Sequence, residues 1–157
     1  MKKVLCLMLA MSFVFFAVGC GTEYEDTNGS EDYRLTQITD ENITKLELGA
    51  SNYSQKPASD ESDNLSKMTE FKSDNFNGVA EIYRTCLVGK SDLTIDVSNL
   101  QVSSGNYALC VVQDGKIIHQ FPVNEMMQTY ELRDTNGQIS IIMAGESADF
   151  YMSIQVW

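Results

Sequence analysis

From Met68 to Trp157 the chain is a series of short runs of β-branched and aromatic residues, broken by turn signals at intervals. Where such signals recur every eight to twelve positions or so, the chain is restricted to an all-β sandwich or barrel. The most demanding run is Tyr107 to Gln113, nearly continuous in apolar residues, which calls for a central strand buried on both faces. Asp114-Gly115 follows it and suits the positive φ values of a two-residue hairpin turn, with Lys116 to Phe121 as the return strand and Pro122 as its stop. Leu93, Ile95 and Val97 alternate with Thr94 and Asp96, which sends one set inward and the other outward.

The remaining strands follow from the same pattern. Phe71 to Phe76 opens the series, Asn77-Gly78 predicts a tight turn, and Val79 to Val88 forms a longer, less regular strand. Ser103-Ser104-Gly105-Asn106 turns the chain, and Asn136-Gly137 predicts a second hairpin between Met127 to Leu132 and the alternating Ile139, Ile141 and Met143. In the last strand, Asp149 to Trp157, Phe150, Met152, Ile154 and Val156 share one face and Tyr151 lies on the other. No helical period is long enough to alternate with these strands, so a parallel α/β architecture is not expected. The expected domain is an antiparallel β-sandwich, jelly-roll or immunoglobulin-like, over residues 66–157.

The first residues have a different character. Met1-Lys2-Lys3 precede an apolar run from Val4 to Val18 and then Gly19-Cys20, the layout of an export signal with a cysteine at the cleavage point. The run is shorter than the roughly 20 apolar residues a membrane-crossing helix needs. From Gly21 to about Ser66 the chain turns to Glu, Asp, Ser, Thr and Asn, too polar to offset the entropy of ordering, and reads as a flexible acidic spacer over 20–65. Ile38, Ile43, Leu46 and Leu48 are the exception, compatible with a short helix after Thr39-Asp40-Glu41 or with a strand against the domain edge. Asp60-Glu61-Ser62-Asp63-Asn64 lacks the spacing of a calcium loop and reads as linker.

Ala17-Val18-Gly19-Cys20 resembles the bacterial lipobox, departing from it only at Ala17, where Leu is more usual. The resemblance implies diacylglyceryl transfer to the Cys20 thiol, cleavage before it, and residues 1–19 as a lipoprotein signal peptide. The protein is then expected at the extracytoplasmic face of the cell membrane, its partner in the membrane reached through acyl chains. The second half resembles a group of small uncharacterised lipoproteins of Gram-positive bacteria. The residues that carry it are Leu93-Thr94-Ile95-Asp96-Val97, Gly105-Asn106-Tyr107-Ala108-Leu109, Gly137-Gln138-Ile139-Ser140-Ile141 and Gly145-Glu146-Ser147-Ala148-Asp149-Phe150. It implies a lipobox, a polar spacer and a compact β-sandwich.

Formal charge is -11, and loss of Lys2 and Lys3 with the signal takes it to -13. So acidic a chain has no basic face for nucleic acid or anionic headgroups. Once Cys6 leaves with the signal and Cys20 is lipidated, Cys86 and Cys110 remain, a candidate disulfide in an exported protein. They supply too few ligands for zinc even with His119, and no metal or cofactor is expected. No phosphate loop, dinucleotide fingerprint or metal spacing is present. His119 is a candidate base, and Glu146 with Asp134 a candidate carboxylate pair for an envelope hydrolase. Tyr83, Tyr107, Tyr130, Tyr151 and Trp157 fall at strand positions, where exposed aromatics stack on sugar rings or anchor a protein. The sequence thus predicts a non-catalytic binding or accessory module with Tyr130, Tyr151 and Trp157 as candidate contacts for a glycan or envelope protein. Its rivals are a structural subunit of an envelope complex and the hydrolase.

Overall fold

The computed structural model describes residues 33–57 and 68–157. The expected signal peptide, Cys20, the start of the spacer and the acidic cluster at 60–64 lie outside the described residues.

The chain folds as α1 (Asp40–Lys45), β1 (Ser54–Pro57), β2 (Thr69–Gln113), β3 (Lys116–Phe121) and β4 (Glu125–Val156), every strand pairing being antiparallel. The two long strands are extended chain that bends and crosses over without leaving the ladder. Segment 69–76 pairs with 148–154, and 78–87 with 137–145. Segment 93–104 pairs with both 149–156 and 125–132, and 107–113 lies between 139–146 and β3. Two halves result, ordered 69–76, 148–156, 93–104, 125–132 and 78–87, 137–145, 107–113, 116–121. That is the strand order of a jelly roll, one of the two sandwich types expected.

The halves meet along a corner that β2 crosses twice and β4 once, and the residues there explain why the chain bends rather than reverses. Register shifts cluster at Asp74/Phe76, Phe76/Gly78, Val102/Ser104 and Ser104/Asn106, and Asn75, Gly78, Gly105 and Ser147 all take positive φ. Asn77-Gly78 and Ser103 to Asn106 are therefore bulges within continuous strands, not the chain reversals expected of them. A bulge and a tight turn draw on the same residues, since both need a left-handed backbone. Gly105 has φ +73°, and a Cβ on it would stand 2.2 Å from the Ser147 carbonyl oxygen. On Gly145 it would stand 2.4 Å from Phe76 Cδ1. Asn136-Gly137 is likewise no hairpin, because 125–132 pairs with 93–100 and 137–145 with 78–87. The link between them crosses from one half to the other. The Asp114-Gly115 hairpin forms as expected.

Inward side chains of both halves interdigitate in one core. Phe71, Phe76, Ile95, Leu109, Ile141, Met143 and Met152 are at most 1% exposed. Phe76 meets Phe150 edge-on at 5.6 Å, and Tyr107 lies 4.6 Å from Phe150. A side chain of this size contributes about 1.5–3 kcal/mol when fully buried.

The spacer expectation fails over part of its length. Of residues 20–65, those from 33 to 57 include a strap laid across the second half and an edge strand. The cause is a second apolar surface. Val79, Ala108, Cys110, Val112, Ile142 and Ala144 face away from the core, and Ile38, Ile43, Leu35 and Leu46 cover them. Thr39 caps α1 in a reciprocal box with Asn42, Leu46 ends it in the left-handed conformation, and Lys45 pairs with Glu41 one turn earlier. Among the described residues no helix is long and apolar enough to cross a membrane.

Candidate functional site

On the outer face of the first half Tyr151 and Trp157 are exposed, while Ser153 between them is buried. Because strand side chains alternate, burying Phe150, Met152 and Ile154 sends Tyr151, Ser153, Gln155 and Trp157 to the opposite face. Register aligns the neighbouring strands on them. The Trp157 and Thr94 backbones exchange hydrogen bonds of 3.0 and 2.8 Å. Gln155 lies opposite Asp96, Ser153 opposite Ser98 and Glu70, and Tyr151 opposite Gln101 and Lys72. On the next strand Thr129 lies opposite Asp96 and Met127 opposite Ser98.

The result is a polar platform of hydroxyl, amide and carboxylate side chains with an aromatic ring at each end. Trp157 is 64% exposed and Tyr151 36%. Six residues at roughly 3.3 Å each set them about 20 Å apart, the span of a short oligosaccharide. The Tyr151 hydroxyl is 3.4 Å from that of Ser153. The Trp157 indole donates to Asp96 Oδ2 at 2.9 Å, and the Thr129 hydroxyl donates to Asp96 Oδ1 at 2.6 Å. Carboxylates outnumber cations on the platform, with Glu70, Asp74, Asp96, Glu131 and Asp149 against Lys72, Lys56 opposite Glu70, and Arg133, which is paired with Glu131 at 2.6 Å.

Of the three aromatic contacts expected, the structure thus brings together two. Tyr130 belongs to the inward set: its ring stacks on His119 at 4.1 Å with planes 4° apart, and both pack against the core. Tyr107 is fully core, its hydroxyl donating only to Met152 Sδ at 3.5 Å. Burial holds that hydroxyl protonated far above its ordinary range. Tyr83 is half-buried beside a cleft of about 130 Å³ that Gln55, Phe71, Ile82 and Val156 also line.

The hydrolase residues are not assembled. Asp134 sits in the link at one end of its half, where its amide donates to Asp92 Oδ1 at 2.9 Å. Glu146 sits at the corner. Nine residues of strand, Gly137 to Gly145, lie between them and span roughly 26 Å, whereas glycosidase carboxylates stand about 5–10 Å apart. Glu146 is moreover saturated. It accepts from the amides of Thr36, Gln37 and Ile38 at 2.5–3.0 Å, from the Thr36 hydroxyl at 2.8 Å and from Asn106 at 2.9 Å. Desolvation opposes its ionisation, but these donors outweigh it and hold the carboxyl at about 2. It is a clasp for the strap. Burial lowers His119 below its ordinary value, and its neighbours are Phe121 and Tyr130.

The candidate disulfide does not form: Cys86 is exposed and free, Cys110 buried and free. Their partners on the intervening strand, Gln138 and Ile142, are four residues apart. That spacing is roughly 13 Å along the sheet, against the limit near 7 Å between Cα atoms that a disulfide can bridge. Burial, and then the charge of Asp40, push the Cys110 thiol up to about 12. Among the described residues no group of three or more His, Cys, Asp or Glu could hold a metal ion.

No protein-family model matches the chain, and comparison with curated proteins finds no match. Among solved structures, one similar chain is a carbohydrate-binding module of Cellvibrio mixtus lichenase 5A, in complex with cellotriose. It aligns over 73% of this chain and 93% of its own length, at 10% identity and a TM-score of 0.38. A likeness of that size transfers no binding site.

Proposed function

We propose that this protein is a non-catalytic glycan-binding module, held at the extracytoplasmic face of the cell membrane by a lipid on Cys20, with the open face of the jelly roll as its binding surface. The observation that carries the reading is Tyr151 and Trp157 exposed on one face, with Asp96, Gln101 and Thr129 of the neighbouring strands beside them. Aromatic rings offer a stacking surface to the apolar faces of sugars, and the polar side chains between them offer hydrogen bonds to hydroxyls. A face so polar is a poor docking surface for another protein's core, though Met126 and Met127 at 67% and 81% exposure would suit a protein at its rim. The excess of carboxylates favours uncharged sugars.

Two measurements test it. Retention of the chain on immobilised envelope and plant glycans should fall at least tenfold in Trp157→Ala and Tyr151→Ala, with melting temperature within a few degrees of the parent. Co-purification with one envelope protein and no glycan retention would favour the structural subunit instead. For the anchor, mass spectrometry of the membrane fraction should find a diacylglyceryl-modified N-terminal cysteine that Cys20→Ser eliminates.

A further inference from the structure

We infer that Asp96 sets how the platform reads its ligand: it positions the Trp157 indole, and its charge selects uncharged over acidic sugars. The inference rests on the glycan-binding reading above and adds a residue to it. Asp96 occupies the middle strand of the three that form this end of the platform, and the register places Gln155 on one side of it and Thr129 on the other. Both of its carboxylate oxygens are engaged across strands, Oδ2 by the Trp157 indole at 2.9 Å and Oδ1 by the Thr129 hydroxyl at 2.6 Å.

Trp157 needs such a brace. Its backbone is fixed by Thr94, but the ring is 64% exposed and indole has a single N–H to donate. That donor goes to Asp96, and a hydrogen bond to an ionised acceptor is about twice as strong as one between neutral groups. Thr129 in turn holds the carboxylate from the far side, so the ring's attitude is set by two strands rather than by its own rotamer. A pre-set ring loses less freedom when a sugar stacks on it. The same carboxylate repels a second negative charge arriving at the ring.

Trp157 is the sole tryptophan of the chain, so its fluorescence reports this brace directly and without a ligand. The test uses the full chain with Asp96→Ala and Asp96→Asn, acrylamide quenching, and titration with neutral tetrasaccharides of glucose, mannose and xylose beside a tetramer of galacturonic acid. Asp96→Ala should raise quenching at least twofold and weaken neutral-sugar binding at least fivefold. Asp96→Asn keeps an acceptor for the indole and loses the charge. It should keep quenching and neutral-sugar affinity within twofold of the parent while improving binding of the acidic tetramer at least threefold. Unchanged quenching in Asp96→Ala overturns the positioning role. An acidic tetramer bound no better by Asp96→Asn overturns the selective one. Either result leaves the platform standing provided Trp157→Ala abolishes binding; if Trp157→Ala binds as the parent does, the platform reading itself is wrong.

Discussion

The two outer faces of this jelly roll are built on the same strands and have opposite fates. Where β2 and β4 pass through 107–113 and 139–145, their outward residues are Ala108, Cys110, Val112, Ile142 and Ala144, and residues from the strap lie over them. A few residues further along β4, past the corner, the outward positions are Tyr151, Ser153, Gln155 and Trp157; Ser153 is buried, while the rings of Tyr151 and Trp157 stand open. An apolar sheet face must be covered, so its cover is structural and its composition is silent about function. A polar face that still carries two large rings has no such demand to meet, and its rings are there to be explained.

The comparison is broken most severely by damage to the core that both faces share. Removing Ile154 to Trp157 takes a buried core residue and the ladder from Ile95, Val97 and Thr94. A chain ending at Ser153 should show no cooperative melting, whereas Phe76→Ala should fold with a loss of about 3–5 kcal/mol in denaturant. On the covered face, Ile43→Asp places a charge under the strap. It should expose the apolar face to a hydrophobic dye and cost about 2–4 kcal/mol while leaving glycan retention unchanged.

Glu146 gives the covered face a pH signature. Its carboxyl is held at about 2 in the folded protein against an ordinary 4.5, so as pH falls the unfolded chain takes up the proton first. The clasp therefore contributes fully above about pH 4.5 and is lost as pH falls toward 2. The protection of the amides at residues 36–38, relative to their intrinsic exchange at each pH, should fall across that window in the parent, and Glu146→Gln should show low protection at every pH. Changes on the open face should be smallest in stability: Tyr151→Ala and Trp157→Ala should shift it by about 1 kcal/mol or less. Between the two cysteines, Cys86 should react with a thiol reagent at once and Cys110 only on unfolding, given its burial.

Much of this was legible in the residues, because alternation is a local signal. The continuous apolar run at 107–113 foretold burial on both faces, and Phe150, Met152 and Ile154 against Tyr151 foretold which way the last strand turns. The corner was not legible, since Asn77-Gly78 and Ser103 to Asn106 are as good for a hairpin as for a bulge. The identity of the cover was half legible: Ile38 and Ile43 stood out from the acidic run, but only the outward Val79, Cys110 and Ile142 show what they meet. For the site, strand alternation shows Tyr151 and Trp157 on the outward face, while the stacking of Tyr130 on His119 is not readable from strand parity. Asp96 was readable as outward and nothing more. Its partners Thr129 and Trp157 are 33 and 61 residues away, and only register brings them together.

The most direct test of the central claim is a calorimetric titration of neutral oligosaccharides into the parent chain and into the Tyr151→Ala, Trp157→Ala double variant, with thermal melting of both. The account predicts saturable binding by the parent, none by the variant, and melting temperatures within a few degrees of each other. Equal binding by both chains would contradict it, and would move the ligand off the open face altogether.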